Sequence, residues 1–162
     1  MMSGNKGLTA SERLSRFEQA TEDYINSKHL CPIGFNIEAI EILNLTTEGL
    51  RILSAEECVA NSYVVFAYAN YLQEEHNSNL VKLNYANDSL RQIVASEMGQ
   101  FDKYTKHEIK QQNVINNNEF ASKLDVIRKH AQARVDKLSE KIKDIRKMGE
   151  SLLELAKRKA YS

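Results

Sequence analysis

The apolar residues in the last third of the chain recur in steps of three and four, which is the spacing of one face of an α-helix. The pattern predicts a helix over residues 119–159, with a stripe formed by Phe120, Leu124, Ile127, Ala131, Val135, Leu138, Ile142, Ile145, Met148, Leu152 and Leu155. Because the two step lengths alternate over five heptads, the stripe is typical of a coiled-coil seam. Gly149 interrupts this predicted seam near its end.

A second long helix is predicted upstream, where Ser54 and Glu57 have the spacing of a capping box. Its predicted stripe is Val59, Tyr63, Phe66, Ala69, Leu72, Leu80, Leu83, Leu90 and Val94. Residues 76–79 and Gly99 are weak points, since glycine costs a helix about 1 kcal/mol relative to alanine. The pattern still continues beyond them, so we expect the helix to run to about Val114.

Three consecutive asparagines at residues 116–118 separate the two predicted helices and indicate a turn, because asparagine tolerates left-handed backbone geometry. Two long helices joined by a short turn fold back on each other. The sequence therefore predicts an all-α fold: a long antiparallel, coiled-coil-like hairpin over residues 54–162, with a smaller N-terminal helical segment over residues 1–53.

The first 53 residues are predicted to contain one capped helix and an irregular connector. Thr9 and Glu12 form a second capping box, and the helix that follows should stop before Pro32. Residues 36–53 are rich in β-branched side chains, so their periodicity alone permits a strand. We favour one or two short helical turns, broken at Gly49.

Composition supports long helices and a cytoplasmic location. The chain has one proline, six glycines and no tryptophan. Its two cysteines have no motif spacing, which favours reduced thiols inside a cell. The first residues lack the apolar core of a signal peptide, and no apolar stretch is long enough to span a bilayer, so we expect no association with membranes.

The charges are sorted along the chain although they sum to zero. Residues 1–100 carry seven Lys/Arg and thirteen Asp/Glu, whereas residues 101–162 carry fifteen and nine. This asymmetry suggests a polyanionic partner for the basic half or self-association through opposite charges. A hairpin that lays the basic last helix against the acidic front half would explain the same pattern without any partner.

The sequence contains none of the common catalytic motifs: no Gly-rich phosphate loop, no HExxH, no CxxC and no GxSxG. The four histidines lie far apart, without a second ligand at metal-binding spacing. We therefore expect a protein that is not an enzyme and has neither cofactor nor metal.

The last helix carries the best candidate for a nucleic-acid site. A row of cations lies along one side of it: Lys123, His130, Arg134, Lys137 and Lys141, with Arg146 and Lys147 as a following group. Such a row can follow a phosphate backbone by releasing counterions. The alternative is an ordinary solvated face, because acidic residues such as Glu140 and Asp144 are interleaved with the cations.

A second candidate lies near Gly99, where aromatic and basic side chains alternate. Phe101 and Tyr104 are interleaved there with Lys103 and Lys106. Proteins that bind single strands stack bases on aromatic rings, each stack contributing about 1–3 kcal/mol. Lys103, Tyr104 and Lys106 are therefore candidates for base stacking.

Two segments resemble the T4-type phage recombination mediators, the UvsY family. Residues 57–72 read Glu-Cys-Val-Ala-Asn-Ser-Tyr-Val-Val-Phe-Ala-Tyr-Ala-Asn-Tyr-Leu, similar to the early helix of that family. Residues 138–158 are similar to its C-terminal helix, in which a basic, glycine-containing stretch precedes the last turns. The resemblance implies a ring-forming homo-oligomer that binds single-stranded DNA and helps a recombinase displace the single-strand-binding protein.

These observations lead to a leading hypothesis and a main alternative, with a small regulatory protein that blocks a host enzyme through its acidic half as a third option. The leading hypothesis is a non-enzymatic, phage-type recombination mediator that binds single-stranded DNA and associates through the seam residues Leu138, Ile142, Ile145 and Leu152. The repeated basic stripe would then gain affinity by avidity. The alternative is a structural or adaptor protein, such as a virion component or scaffold, whose helices pair with other proteins.

Overall fold

The structure of the 162-residue chain is a computed structural model. The structure describes Thr9, Ser11, Glu12, Ser15, Arg16, Gln19, Asp23 and residues 36–162. Two compact units, Met1–Ile33 and Gly34–Ser162, make up the chain. Within residues 36–162 there are five α-helices and no strand, which confirms the all-α prediction: α1 Ile37–Leu43, α2 Thr47–Ile52, α3 Ala55–Glu97, α4 His107–Asn117 and α5 Glu119–Ala160.

The first unit begins its helical segment with the predicted capping box. The backbone N–H of Thr9 donates to Glu12 Oε2 at 2.7 Å, and the N–H of Glu12 donates to Thr9 Oγ1 at 3.2 Å. The bonds lower the pKa of Glu12 below its usual value. The predicted end of this helix before Pro32 lies outside the described residues.

Residues 36–53 form two short helices, as favoured from the sequence, and the alternative of a strand is wrong. Asn36 Oδ1 accepts the N–H of Ala39 at 3.0 Å and so caps α1. Thr46 Oγ1 accepts the N–H of Gly49 at 3.1 Å and so caps α2. Gly49 was predicted to break the helix, but it lies in the first turn of α2, where its amide satisfies the cap.

Helices α3 and α5 pack against each other as the predicted antiparallel hairpin. At the connected end of the hairpin, Asn118 Nδ2 donates to Glu97 Oε1 at 3.0 Å. Further along, Phe66 contacts Gly149. Phe66 lies 31 residues before Glu97, and Gly149 lies 31 residues after Asn118. The two contacts therefore share one register, and the helices run side by side without slipping.

The connection at the closed end of the hairpin differs from the prediction. Instead of running to Val114, α3 ends at Glu97 and is followed by a 3₁₀ turn, Met98–Gln100, and a loop. Asp102 Oδ1 accepts the N–H of Tyr104 at 3.0 Å, an Asx-type turn that competes with helix formation. Together with Gly99, this local bond ends the helix before α4 begins at His107.

The asparagine turn consists of one residue. Asn116 and Asn117 are still helical in α4, and only Asn118 lies between α4 and α5. Its backbone is extended (φ −111°, ψ 114°), so the expected left-handed geometry is wrong. Asparagine is useful here because Oδ1 accepts the N–H of Ala121 at 3.0 Å and so caps α5.

Six of the eleven predicted seam positions of α5 are buried: Leu124, Ala131, Leu138, Ile142, Ile145 and Leu152. Phe120 and Ile127 were also predicted to be buried, but they are 60% and 46% exposed. Gly149 does not interrupt the seam, because it is buried in it.

The seam of α3 was predicted correctly at five of its nine positions, since Ala69, Leu72, Leu83, Leu90 and Val94 are buried. Val59, Tyr63 and Leu80 are exposed. The buried face also includes small or polar residues that the prediction left out, and the series reads Cys58, Ser62, Val65, Ala69, Leu72, Asn79, Leu83, Ala86 and Leu90. Their steps of three, four and seven have the coiled-coil period. The small side chains of α3 leave room for the leucines and isoleucines of α5.

The open end of the hairpin is fastened by the last lysine. Lys159 Nζ donates to the carbonyl oxygens of Leu50 at 2.8 Å and Arg51 at 2.9 Å, and also to that of Leu53. These carbonyls end α2, where a helix carries partial negative charge. Lys159 therefore connects α5 to the segment that precedes α3.

Candidate nucleic-acid interface

The predicted row of cations on α5 lies along one flank of the seam. Arg134 directly precedes the seam position Val135, and Lys141 directly precedes Ile142. Lys137 lies between them on the same side, because steps of three and four return to one face of a helix. Lys137 and Lys141 are exposed, whereas Arg134 and His130 are half-buried and each interacts with another group.

The cations of this row differ in whether they form an ion pair. Lys123 is paired with Glu119 at 2.8 Å. Lys137 and Lys141, in contrast, form no ion pair with any of the described residues. Their charges are therefore available to a polyanion that approaches this flank of α5.

The ion pairs of the described residues share one order along the chain. In all seven ion pairs of the described residues, the acid precedes the base by three or four positions, as in Glu140–Lys143 at 2.7 Å. This is the favoured order on a helix, since it complements the helix dipole. Lys137 and Lys141 each precede an acid by three positions, Glu140 and Asp144, and remain without an ion pair.

The ion pair between Glu140 and Lys143, next to this row, shifts the pKa of both side chains. A hydrogen bond from Lys143 lowers the pKa of Glu140, and the same bond raises the pKa of Lys143. Glu140 is therefore charged and bonded to Lys143 rather than to Lys137. The predicted second group lies elsewhere around α5: Arg146 is half-buried and Lys147 is exposed.

The other candidate group lies in the loop between the 3₁₀ turn and α4. Lys103 Nζ is 5.0 Å from the centre of the Tyr104 ring, a cation–π distance, and the ring is 82% exposed. Lys106 is exposed at the start of α4. The loop thus presents one accessible aromatic ring and two cations, a combination that can stack on a base and contact its phosphate.

The residues predicted to join copies of the chain are occupied within one copy. Leu138, Ile142, Ile145 and Leu152 are each at least 96% buried in the hairpin formed with α3. Any surface that meets a second chain must therefore come from exposed residues, for example Tyr63, Val81 and Tyr85 on α3.

The buried carboxylate of Asp125, which the sequence analysis did not single out, binds two basic side chains of α5. Asp125 Oδ1 accepts bonds from Arg128 Nε at 2.9 Å and Nη2 at 2.7 Å, and Oδ2 is 2.8 Å from Lys129 Nζ. Burial alone would raise the pKa of Asp125, but the hydrogen bonds from Lys129 and Arg128 outweigh it and lower the pKa below 3.8. Asp125 is therefore charged and holds Arg128 in place.

Arg128 also lines a pocket of about 400 Å³ at the closed end of the hairpin. The other polar walls include Arg91 from α3 and His107 and Gln111 from α4. Sequence reasoning missed this group, because the residues come from three helices and only their packing brings them together. The His107–Gln111 spacing of four was the one local signal that two of them share a face.

Among the described residues, no group of three His, Cys, Asp or Glu side chains is arranged to hold a metal ion. In that part of the chain, no helix combines the length and the apolar character needed to cross a membrane.

Comparisons with protein-family models, with curated proteins and with solved structures give no match to this chain. A functional assignment therefore has to come from its own residues.

Proposed function

We propose that this protein binds single-stranded DNA without catalysing a reaction, and that it acts as a recombination mediator in the cytoplasm. The observation that supports the proposal most is the pair of exposed lysines on α5, Lys137 and Lys141, which no acid of the described chain neutralises. They are four residues apart, about 6 Å along the helix axis. Lysines held at this spacing can contact phosphates along one strand.

Other groups supplement this pair in the proposal. Arg134 and Lys123 extend the row along α5, and Arg146 and Lys147 add positive charge further round the helix. In the loop, Lys103 and Lys106 contact phosphate while a base stacks on Tyr104. Few contacts per chain give weak binding, so a homo-oligomer that repeats the row would gain affinity by avidity. As a mediator, the protein would also contact a recombinase and a single-strand-binding protein.

Fluorescence anisotropy with a labelled oligo-dT strand tests the proposal. Wild-type protein should bind at low salt, with an affinity that falls steeply as salt rises. In the variant K137A/K141A we expect weaker binding, and the slope of log K against log salt should become shallower by about 1.4, since each lost phosphate contact contributes about 0.7 on a single strand.

A matched control removes the same charge from paired positions. Lys143 and Lys157 also lie exposed on α5, but each is bonded to an acid, Glu140 at 2.7 Å and Glu154 at 3.0 Å. K143A/K157A should therefore keep the wild-type slope. Absence of binding at low salt, or an equal loss in both double variants, would contradict the assignment.

The exposed apolar side chains of α3 favour a second candidate, an adaptor or scaffold that pairs with proteins. Tyr63, Val81 and Tyr85 are 76%, 69% and 65% exposed on a helix whose seam is already filled. Val81 and Tyr85 are four residues apart, about one helical turn, and neighbouring exposed apolar groups are typical of protein interfaces. In this case Y85K should abolish association with the partner, while K137A/K141A should leave that association unchanged.

A further inference from the structure

The pocket at the closed end of the hairpin has the size and the lining of a small-molecule site. Its volume of about 400 Å³ falls within the range of ligand pockets, about 300–1,000 Å³. Leu90, Val94 and Met98 form an apolar side. Arg91, His107, Gln111 and Arg128 provide polar groups on the remaining walls. A ligand with one apolar and one anionic part would match both kinds of wall.

The electrostatics of the pocket favour an anion. Three of its described lining residues carry basic side chains, and none is an acid. Arg128 is bonded to Asp125, but Lys129 shares the same carboxylate, so the three groups keep one net positive charge. Arg91 is 3.6 Å from Asp88, and both side chains are largely exposed, so this pair contributes little and an anion can replace it.

The start of α4 adds to this field. His107 is the first residue of α4, and the preceding residue, Lys106, makes no side-chain capping bond. The first amides of a helix have no partner within the helix, and they carry partial positive charge. Because His107 lines the pocket, this end of α4 lies at the pocket wall.

We propose that this pocket binds a nucleoside phosphate, with the phosphate between Arg91 and Arg128 and the base against Leu90, Val94 and Met98. The Gln111 amide can then bond to the edge of the base, because an amide offers both a donor and an acceptor. An inorganic anion would use the basic walls only and leave the apolar side in contact with water. The ligand is either a free nucleotide or the phosphorylated end of a strand, since both present the same chemistry.

The pocket is separate from the row of lysines on α5. Lys137 follows Arg128 by nine residues, which is two and a half helical turns at 3.6 residues per turn and places it on the opposite side of α5. The inference therefore does not depend on the proposed DNA-binding row, and substitutions can separate the two.

Isothermal titration of the full chain with dAMP tests the inference. We expect a Kd for dAMP below about 1 mM. Deoxyadenosine, which lacks the phosphate, should bind at least about tenfold more weakly. R91M should weaken dAMP binding by about tenfold, since it removes a charge-assisted contact to the phosphate, and the Arg91 side chain is 80% exposed. K137A/K141A should bind dAMP as the wild type does.

Two further arms distinguish the source and the alternatives. If a 5′-phosphorylated oligo-dT displaces dAMP and the unphosphorylated strand does not, the ligand is a strand end; if neither does, it is a free nucleotide. Inorganic phosphate that binds as tightly as dAMP would overturn the proposal, because the apolar side would then contribute nothing. Equal affinity for dAMP and deoxyadenosine, no heat at about 1 mM, or wild-type binding by R91M would also overturn it.

Discussion

Replacing Gly149 with alanine tests the contact between α5 and Phe66. An ideal Cβ at Gly149 would lie 2.8 to 3.0 Å from three atoms of the Phe66 ring. Carbon atoms in ordinary contact are about 3.5–4.0 Å apart, so the ring or the helix has to move. The contact thus requires glycine because of space, and the α-helix itself would be better served by alanine.

Two opposing terms determine the result. Alanine in a helix interior is favoured over glycine by about 1 kcal/mol. Overpacking of a core costs about 1–3 kcal/mol, and we take about 2 kcal/mol here because three ring atoms are involved and Phe66 is only half-buried. G149A should therefore lower the free energy of unfolding by about 1 kcal/mol. At this chain length, that corresponds to a fall in Tm of about 3 °C.

The sign should reverse once the ring is removed. In an F66A background the added methyl group meets no ring, so G149A should raise the free energy of unfolding by about 1 kcal/mol. Urea unfolding followed by circular dichroism on all four proteins gives the coupling between the two positions, expected to be about 2 kcal/mol. G99A is the matched control, because a Cβ there meets no atom within 4 Å and should be neutral or slightly stabilising. The reasoning is refuted if G149A stabilises the protein while Phe66 is present.

Two other substitutions test electrostatic features of the hairpin. K159M removes the donor to the carbonyls of α2 and should lower the free energy of unfolding by about 1–2 kcal/mol. K157M is the control and should change it by less than about 0.5 kcal/mol. Thermal unfolding compares the two variants, and equal effects would contradict the role of Lys159. The lowered pKa of Asp125 means that its stabilisation is present above pH 3.8 and is lost as the pH falls through its folded-state pKa. D125N should thus be less stable than wild type near pH 7, and urea unfolding in acid should show the difference shrinking; a constant difference would refute it.

The sequence predicts the buried faces of the two long helices about equally: six of eleven stripe positions are buried in α5 and five of nine in α3. In α5 five of the six correctly predicted positions are leucine or isoleucine, and there the apolar period coincides with the buried face. In α3 that face includes Cys58, Ser62 and Asn79, while aromatic residues such as Tyr63 and Tyr85 are exposed. Periodicity follows hydrophobicity, and therefore it missed these polar or small positions and included Val59, Tyr63 and Leu80, which are exposed.

The candidate sites were predictable to different extents. Spacing alone indicated that Lys137 and Lys141 share a flank, and the preferred order of acid before base also accounts for their lack of an ion pair. The end of α3 depended on a local bond between Asp102 and Tyr104 that no periodicity reveals. The pocket requires Arg91 and Arg128 to meet across two helices, and that proximity depends on the register of the hairpin.

The antiparallel register also sets an order in which contacts can form during folding. The bond between Glu97 and Asn118 joins residues 21 positions apart, whereas the bond between Leu50 and Lys159 joins residues 109 positions apart. Closing a longer loop costs more chain entropy, so contacts near Asn118 are favoured first and those near Lys159 last. The hairpin should therefore form from its connected end toward its open end. Amide hydrogens at the open end, near Leu50 and Lys159, should exchange soonest.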